Sequence, residues 1–432
     1  MQRNRFLSDI LTTLFDRSGT IRSVNDTRDI YALCNALLSA EGTVSGQSLA
    51  ATVLERYRKL SDDDKLSFFK YLNDDLDIDA TDLSALVATY ATDPTPDAFK
   101  NLSNAAEPRR QELLRRLNQP VGATADIVAM RVDLLHVLKD HPELARTNHD
   151  FVHLFRSWFN RGFLVLKTID WDTPARILDK IVAYEAVHQI NDWDDLRRRL
   201  YPPDRCCFAF FHPSMPDEPL IFVEVALTKT VPGSVTKLLS NGRTPLGADD
   251  AKVAVFYSIS NCQKGLTGIS FGNLLIKQVV AELSLSFPQL ETFVTLSPIP
   301  GLTRWLATQI DDTDHGHVAT TILGGQGSAA DIRAMAARYL LMAKRGDGMP
   351  LDPVARFHLG NGAEVYDIHA DADTSDNGIA QSSGAMVNYL YDLSQTQRHH
   401  ADYVFKSIVT AAKPAQSLST AALSPKPKET TS

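Results

Sequence analysis

The stretch FYSISNCQKGLTGISFGNLLIKQVVAEL, residues 256–283, decides the fold class of this chain. It begins with the end of an apolar run, KVAVFYSIS (252–260), which is typical of a buried strand. A polar turn with two glycines follows, and apolar residues then recur at helical spacing through residues 271–287. A strand that leads through a turn into a helix is the repeating step of α/β domains. The stretch therefore predicts an α/β domain with a central sheet.

Further strand-like runs surround this step and enlarge the predicted sheet. They are GFLVLKTI (162–169), CCFAFF (206–211), PLIFVEVALT (219–228) and TFVTLSPIP (292–300). Each is rich in β-branched and aromatic residues and is bounded by turn-forming residues. A pair of helices is predicted between residues 173 and 200. The sheet domain therefore extends over residues 159–411.

The sequence before and after this domain has a different character. Up to residue 158, apolar residues recur three and four positions apart, which predicts a helical bundle. The periodic runs are 30–38, 45–60, 62–76, 83–90, 109–117 and 126–138. Residues 412–432 are rich in Pro, Ser and Thr, which predicts a disordered tail. The expected organisation is a helical domain (1–158), an α/β domain (159–411) and a tail (412–432).

Composition and charge exclude several classes of protein. The chain has 432 residues, and 44 Lys and Arg against 52 Asp and Glu give a net charge of −8, which argues against a large nucleic-acid-binding surface. Its longest uncharged stretch, residues 315–330, is too short for a membrane-spanning helix. The first 19 residues mix acidic and apolar side chains and predict an amphipathic helix rather than a signal peptide. A cytoplasmic protein is therefore expected.

The turn between the strand and the helix is a candidate anion site. Glycines allow a ligand to approach the backbone, and the free N–H groups of a helix N-terminus attract a pyrophosphate. Lys264 and Lys277 add positive charge that could offset the negative net charge locally. The same pattern is also typical of turns that only connect two elements. Residues 268–272, GISFG, match the G-x-S-x-G motif of serine hydrolases, but a polar loop precedes the serine where that motif needs a strand.

Two further residues have the chemistry of a catalytic site. Ser297 lies where a strand enters a turn stiffened by two prolines, at the sheet edge where α/β domains bind ligands. His358 precedes an Asn-Gly turn and could exchange a proton near neutral pH. A capping serine and a structural histidine are the simpler interpretations. Tyr391 could bind a ligand or merely pack in the core.

No metal site is predicted. The pairs His315 and His317, and His399 and His400, have no third ligand at a familiar spacing. The four cysteines, at positions 34, 206, 207 and 262, have neither metal-binding nor disulfide-framework spacing, so buried reduced thiols are expected.

Several separate blocks together resemble the malonyl-CoA decarboxylase family. They are residues 162–188, 205–228, 256–283, 293–306, 357–363 and 386–391. The resemblance implies an α+β, two-domain fold: a helical N-terminal domain that mediates oligomerisation, with a homotetramer favoured, followed by a GNAT-type α/β catalytic domain of acyltransferase-like architecture. In the first 150 residues, only the pattern of helices matches the family, and no sequence motif does.

The resemblance also assigns site residues. It places the catalytic serine at Ser297 and the catalytic histidine at His358, and it matches Ser258 and Tyr391 to polar positions of the substrate site. The acyl-CoA-binding loop falls on Thr267, Gly268, Ile269, Ser270, Phe271, Gly272 and Asn273. One departure is that the family has a glutamate where this chain has Ser270, so a carboxylate role is absent or supplied elsewhere.

The implied reaction converts malonyl-CoA to acetyl-CoA and CO2. It needs no metal or organic cofactor, because the thioester itself accepts the electrons that CO2 leaves behind. An oxyanion must be stabilised and a carbon protonated; we expect Ser297 to orient the substrate and His358 to donate the proton, although either could protonate the carbon. Acyl transfer from CoA by a GNAT-type acyltransferase and non-catalytic acyl-CoA sensing are alternatives. No nucleic acid or membrane partner is expected.

Overall fold

The computed structural model describes residues 26–39, 43–269 and 274–424. The amphipathic helix predicted at the N-terminus and the loop residues Ser270, Phe271, Gly272 and Asn273 lie outside these ranges. No helix within them is long and apolar enough to cross a membrane.

Helices account for the described chain up to residue 158. They are α1 Ile30–Ser39, α2 Thr43–Arg58, α3 Asp62–Asp74, α4 Ala80–Thr92, α5 Pro96–Ala105, α6 Arg109–Leu117, α7 Ala123–Val137 and α8 Ala145–Trp158. Polar caps start several of them: the Ser61 side chain accepts a hydrogen bond from the Asp64 N–H, and Asp79 accepts from two N–H groups of α4. All six predicted periodic runs are helical. Helices α5 and α8 lie outside those runs.

The core of the bundle combines apolar side chains with one buried ion-pair network. Leu33, Phe68 and Leu113 are fully buried. Arg110 on α6 is 3% exposed and binds the carboxylates of Asp150 and Asp77. Two acidic partners satisfy the buried guanidinium, which is the condition under which a buried charge is tolerated.

The remaining elements form the sheet domain. They are β1 Val165–Ile169, α9 Ala175–Tyr184, α10 Trp193–Leu200, β2 Arg205–His212, β3 Met215–Thr228, α11 Val235–Leu238, β4 Val253–Asn261, α12 Leu274–Ser286, β5 Thr292–Thr295, β6 Ser297–Pro298, α13 Leu302–Ala307, α14 Gly316–Leu323, α15 Ala329–Leu341, α16 Pro353–Gly360, β7 Glu364–His369, α17 Asp376–Ser382, β8 Met386–Leu390, α18 Thr396–Lys406 and α19 Lys413–Ser419. The strand order is β1-β2-β3-β4-β5-β8-β6, with β7 paired to β8. The predicted α+β fold class, a helical bundle followed by an α/β domain, is confirmed.

Strands β4 and β5 separate in the middle of the sheet. They pair in parallel from Val253 opposite Thr292 to Phe256 opposite Thr295. One more bond follows, from the Leu296 N–H to the Phe256 carbonyl at 2.9 Å. β4 then continues to Asn261, whereas β6 pairs with β8 instead. The sheet therefore opens between β4 and β6, and this opening positions the site described below.

The chain forms two compact units that do not divide at one point of the sequence. The first contains the described residues up to Val165 together with residues 211–219 and 263–269; the second contains the other described residues. The turn between β2 and β3 joins the first unit because the His212 ring packs on Phe159, and its Nε2 lies 3.1 Å from the Trp158 carbonyl. Two segments that follow residue 158 thus belong with the helices.

The segment after residue 411 differs from the predicted disordered tail. Residues 413–419 form α19, which has a proline in its first turn, and the Ala412 N–H donates to the Val365 carbonyl at 2.8 Å. Further along, the Ser424 hydroxyl donates to Asp331 at 2.6 Å. The composition-based prediction is wrong for residues 412–424, because small and polar residues still form specific backbone and side-chain hydrogen bonds. Residues 425–432 lie outside the described ranges.

Candidate active site

Ser297 and His358 meet at the opening of the sheet, although 61 residues separate them in sequence. The Ser297 Oγ lies 3.2 Å from the His358 Nε2, and both side chains are buried. Ser297 occupies β6, where Pro298 stiffens the backbone. His358 lies near the end of α16, a helix that begins with Pro353 and is capped by Asp352, whose carboxylate accepts from the Ala355 N–H at 2.8 Å.

A directed chain of hydrogen bonds runs through this pair. The Ser297 hydroxyl donates to the Thr295 Oγ1 at 2.9 Å, so its oxygen is left to accept a proton from the His358 Nε2. The other ring nitrogen, Nδ1, lies 2.8 Å from the Tyr391 hydroxyl. Since a neutral imidazole has one donor and one acceptor, Nδ1 accepts from Tyr391 in this arrangement. The chain from Tyr391 through His358 to Ser297 ends at Thr295.

The surroundings keep the His358 ring neutral and fixed. The ring stacks on Tyr389, with centroids 4.5 Å apart and planes at 24°. Burial lowers the pKa of His358 to about 3, because it removes the solvation that stabilises an imidazolium. Burial also raises the pKa of Tyr391 well above its usual value. His358 and Tyr391 are therefore both neutral at physiological pH.

The pair lies at the wall of a mainly apolar cleft of about 250 Å³. The lining residues are Val187, Ile221, Phe256, Tyr257, Ile259, Asn261, Ser297, Pro298, Pro353, Val354, Phe357 and His358. Such a cleft excludes water and strengthens electrostatic interactions inside it. Its volume suits a short acyl group rather than an entire nucleotide cofactor.

Ser258 is bonded to a carboxylate that the sequence analysis missed. Its hydroxyl lies 2.9 and 2.8 Å from the two carboxylate oxygens of Glu185, and Ser258 itself is 2% exposed. Glu185 also accepts from the N–H groups of Val187 and His188, each at 2.8 Å. Glu185 thereby orders the segment that contributes Val187 to the cleft. Glu185 is one of four acidic residues within the 162–188 block, so nothing in the sequence singled it out.

A second missed carboxylate is buried in the middle of β3. Glu224 lies opposite Ser258 in the β3–β4 register, and its Oε2 accepts from the Arg199 Nη1 at 3.2 Å. Burial and the nearby Glu185 raise the pKa of Glu224 to about 8. One acidic residue in the otherwise apolar run IFVEVAL was the available signal. Thr295, which accepts from Ser297, was missed because a threonine in a strand is ordinary.

The predicted acyl-CoA loop is described only in part. Residues 264–266 form a 3₁₀ turn, and the Thr267 hydroxyl donates to the Lys264 carbonyl at 2.7 Å. Gly268 has a φ of +80°, a conformation that favours glycine. Thr267, Gly268 and Ile269 belong to the first compact unit, whereas Ser297, His358, Tyr391 and Ser258 belong to the second.

Three of the four histidines that the sequence analysis weighed as metal ligands hydrogen-bond to protein groups. The His315 ring contacts Asp312 at 2.9 Å, and His317 and His400 contact the carbonyls of Ser424 and Gly360 at 2.6 and 2.7 Å. No disulfide joins the four cysteines; Cys34, Cys207 and Cys262 are buried, whereas Cys206 is partly exposed.

Comparisons with known proteins extend over both domains. A family model described as the malonyl-CoA decarboxylase C-terminal domain matches residues 162–322 and 326–430, and one described as the N-terminal domain matches residues 76–159. The mitochondrial malonyl-CoA decarboxylase of Anser anser anser is 34% identical over 345 residues, which is 71% of this chain and 68% of that protein. The corresponding protein of Rattus norvegicus is 33% identical over 362 residues, 74% of this chain and 73% of its own length.

Two solved structures are similar to this chain over most of its length. The malonyl-CoA decarboxylase of Rhodopseudomonas palustris has a TM-score of 0.84 and 48% identity, and the match covers 90% of this chain and 98% of that chain. The enzyme of Agrobacterium vitis has a TM-score of 0.86 and 45% identity, with 90% and 99% covered. The chain therefore belongs to the malonyl-CoA decarboxylase family and is a carboxy-lyase.

Proposed function

We propose that Ser297 and His358 form the catalytic centre at which this chain decarboxylates malonyl-CoA. The observation that carries the proposal is the hydrogen-bond chain from Tyr391 through His358 to Ser297 at the wall of an apolar cleft. It supplies a hydroxyl and a proton source at one place, which are the two groups that the reaction needs from the protein.

The first step breaks the bond between the malonyl carboxylate and the α carbon. The electron pair of that bond moves into the thioester carbonyl, giving CO2 and an enolate. A carboxylate is poorly solvated in an apolar cleft, so conversion to neutral CO2 relieves that cost. When the Ser297 O–H turns from Thr295 to the substrate, it orients the carboxylate or the thioester oxygen and can stabilise the developing oxyanion. The thioester holds the electron pair, so the step requires no metal or organic cofactor.

The second step protonates the α carbon to give acetyl-CoA. The His358 Nε2–H is directed at the Ser297 Oγ, so the proton reaches the carbon from His358 directly or through the serine hydroxyl. Nε2 has then lost its proton, and the Tyr391 O–H passes a proton to Nδ1, so His358 stays neutral. After acetyl-CoA leaves, water returns a proton to Nε2 and Nδ1 returns its proton to Tyr391, which restores the starting tautomer. A thioester enolate is a strong base, so a neutral donor suffices and His358 need not be an imidazolium. Tyr391 acts through His358, and Ser258 acts through Glu185.

The loop Thr267–Asn273 is proposed to hold the CoA diphosphate through its backbone N–H groups. Gly268 supports the proposal, because its positive φ leaves the backbone open to a ligand. Lys264 and Lys277 supply positive charge near each end of this segment in the sequence. The family glutamate is replaced by Ser270, and Glu185 is a carboxylate that orders the cleft wall instead.

A double-mutant cycle tests the catalytic pair. Ser297→Ala and His358→Ala are each expected to lower kcat by about 10³-fold, and the double variant by about the same factor, because the two residues act as one unit. CO2 and acetyl-CoA are measured with malonyl-CoA and no amine acceptor, so acyl transfer cannot be mistaken for decarboxylation.

Ser382→Ala is the matched control, since Ser382 is a buried serine whose hydroxyl, among the described residues, bonds to the carbonyls of Gly378 and Ala385. It is expected to retain the parent kcat. His358→Ala with a parent rate of CO2 release, or fully multiplicative effects in the double variant, would contradict the proposal.

We also propose a cytoplasmic homo-oligomer, with a tetramer favoured, that assembles through the helical domain. The oligomer rests on the family resemblance, whereas the compartment is the expectation stated in the sequence analysis. Light scattering of the purified chain gives the subunit number, and cell fractionation gives the compartment; a monomer or an organelle-associated protein would contradict the respective part.

A further inference from the structure

The loop that precedes the predicted acyl-CoA contacts lies against helix α7 of the same compact unit. Gly265, in the 3₁₀ turn, approaches the helix so closely that a Cβ at this position would lie 2.0 Å from the Val128 carbonyl oxygen. Any other residue would have to push the loop away from the helix. Glycine is therefore required here by close approach rather than by its φ angle.

Arg131, one helical turn after Val128, holds the loop by its backbone. Its Nη1 donates to the Gly265 carbonyl at 2.6 Å and to the Thr267 carbonyl at 2.9 Å. Its Nε donates to the Asn148 side chain at 3.1 Å, and its guanidinium lies 5.9 Å from the centre of the Phe155 ring. The residue is 2% exposed, so these contacts fix the guanidinium in one place.

These bonds determine which way the loop presents its donors. A trans peptide unit holds its C=O and N–H groups in opposite directions. Because the Thr267 carbonyl points at Arg131, the Gly268 N–H points away from it. Within the described residues this N–H donates to no backbone carbonyl. The contact with Arg131 thus directs the N–H of the first glycine of the predicted CoA loop away from the helix, where the described residues offer it no backbone carbonyl.

The charge of Arg131 is also not neutralised locally. No carboxylate among the described residues forms an ion pair with it, in contrast to Arg110 of the same unit, which binds two. A buried guanidinium without an acidic partner is costly, and its field extends to nearby ligands. Behind a loop that binds a diphosphate, this positive charge attracts the ligand.

We propose that Arg131 is a positioning residue for CoA: it orients the Gly268 N–H toward the ligand and supplies a buried positive charge behind the loop. The inference rests on the proposed role of residues 267–273. Arg131 itself touches neither the substrate nor the reacting atoms, so it affects binding of the CoA portion rather than the chemical step.

The test measures KM for malonyl-CoA, kcat, and the Kd of CoA by calorimetry for Arg131→Gln and Arg131→Lys. Arg131→Gln loses the charge and its charge-assisted bonds, so KM and Kd should each rise about tenfold while kcat stays within about twofold. Arg131→Lys retains the charge and should restore part of the affinity. Gly265→Ala, which displaces the loop from Val128, should also raise KM.

Arg110→Lys is the matched control. Arg110 is an equally buried arginine of the same unit that does not contact the loop. This variant should lower the melting temperature and leave KM unchanged. If Arg131→Gln does not fold, Arg131→Lys and Gly265→Ala decide the question.

Parent values of KM and Kd in all folded Arg131 and Gly265 variants would overturn the inference. The Gly268→Ala variant shows whether such a result contradicts only the role of Arg131 or also the proposed CoA binding by the loop. If Gly268→Ala raises KM and the Arg131 variants do not, only the role of Arg131 is wrong. If Gly268→Ala also binds CoA normally, the loop assignment itself is wrong.

Discussion

The turn after β5 and the loop after β4 follow neighbouring parallel strands, yet they are built in different ways. At the turn, which includes the two residues of β6, side chains are placed where the reaction needs them: Ser297 is held between Thr295 and His358. In the loop, the backbone is placed instead, by Arg131 and by the close approach of Gly265 to Val128. We therefore expect side-chain substitutions in the turn to change kcat. Changes of backbone conformation in the loop should instead change KM.

Among the variants that test the difference between the turn and the loop, Tyr391→Phe should show the largest change in kcat. The variant keeps the ring and removes the hydroxyl that donates to the His358 Nδ1. We expect kcat to fall about thirtyfold with little change in KM, because the proton relay is interrupted while the cleft keeps its shape. Steady-state kinetics with malonyl-CoA measures both values. A rise in KM without a loss of kcat would break the distinction between the turn and the loop.

The pH dependence of stability tests whether His358 is buried in its neutral form. Its folded pKa is lowered from 6.5 to about 3, so the stabilisation is complete above pH 6.5 and is lost as the pH falls, because only the unfolded chain takes up the proton. Between pH 7 and pH 5 this contribution falls by about 2 kcal/mol.

The His358→Gln variant should lose correspondingly less stability over the same range. The free energy of unfolding of each protein is measured by urea titration at several pH values. Comparing how it changes with pH in the two proteins cancels the contributions of other titrating groups, such as Glu224 and His188. Equal slopes for the two proteins would show that His358 titrates normally in the folded state.

Gly268→Ala addresses the loop directly. A φ of +80° is unfavourable for alanine, and none of the described residues beyond the chain neighbours comes within 4 Å of the added Cβ, so the variant acts through the backbone conformation. We expect KM to rise about fivefold and kcat to stay constant. Gly348→Ala is the matched control, since Gly348 has the same φ of +80° and equally open surroundings outside the loop. An equal rise in KM for both variants would point to a general loss of stability.

Ser258→Ala should have the smallest effect. The hydroxyl is directed at Glu185 rather than into the cleft, and Glu185 keeps the N–H groups of Val187 and His188 as donors. We expect a change of about twofold or less in KM, measured under the same conditions. A tenfold rise would show that Ser258 contacts the substrate.

Much of the fold could be predicted because its signals are local. The spacing of Leu33 and Leu37 is sufficient to predict α1, and the run at residues 252–260 is sufficient to predict β4. The tail could not be predicted from composition, since the bonds of Ala412 and Ser424 go to Val365 and Asp331, which are distant in sequence. The missed carboxylates Glu185 and Glu224 likewise have no local signature.

The sequence by itself determined the elements, the family resemblance and two candidate residues, Ser297 and His358, because helix and strand periodicity and motif blocks are encoded over short distances. Only the tertiary structure decided what those residues contact. Whether a serine and a histidine 61 positions apart share a proton depends on where β6 and α16 pack, and whether Arg131 reaches the Gly265 carbonyl depends on where a loop lies against a helix. A hydrogen bond requires atoms within about 3 Å, and that precision is set by the packing of the whole chain.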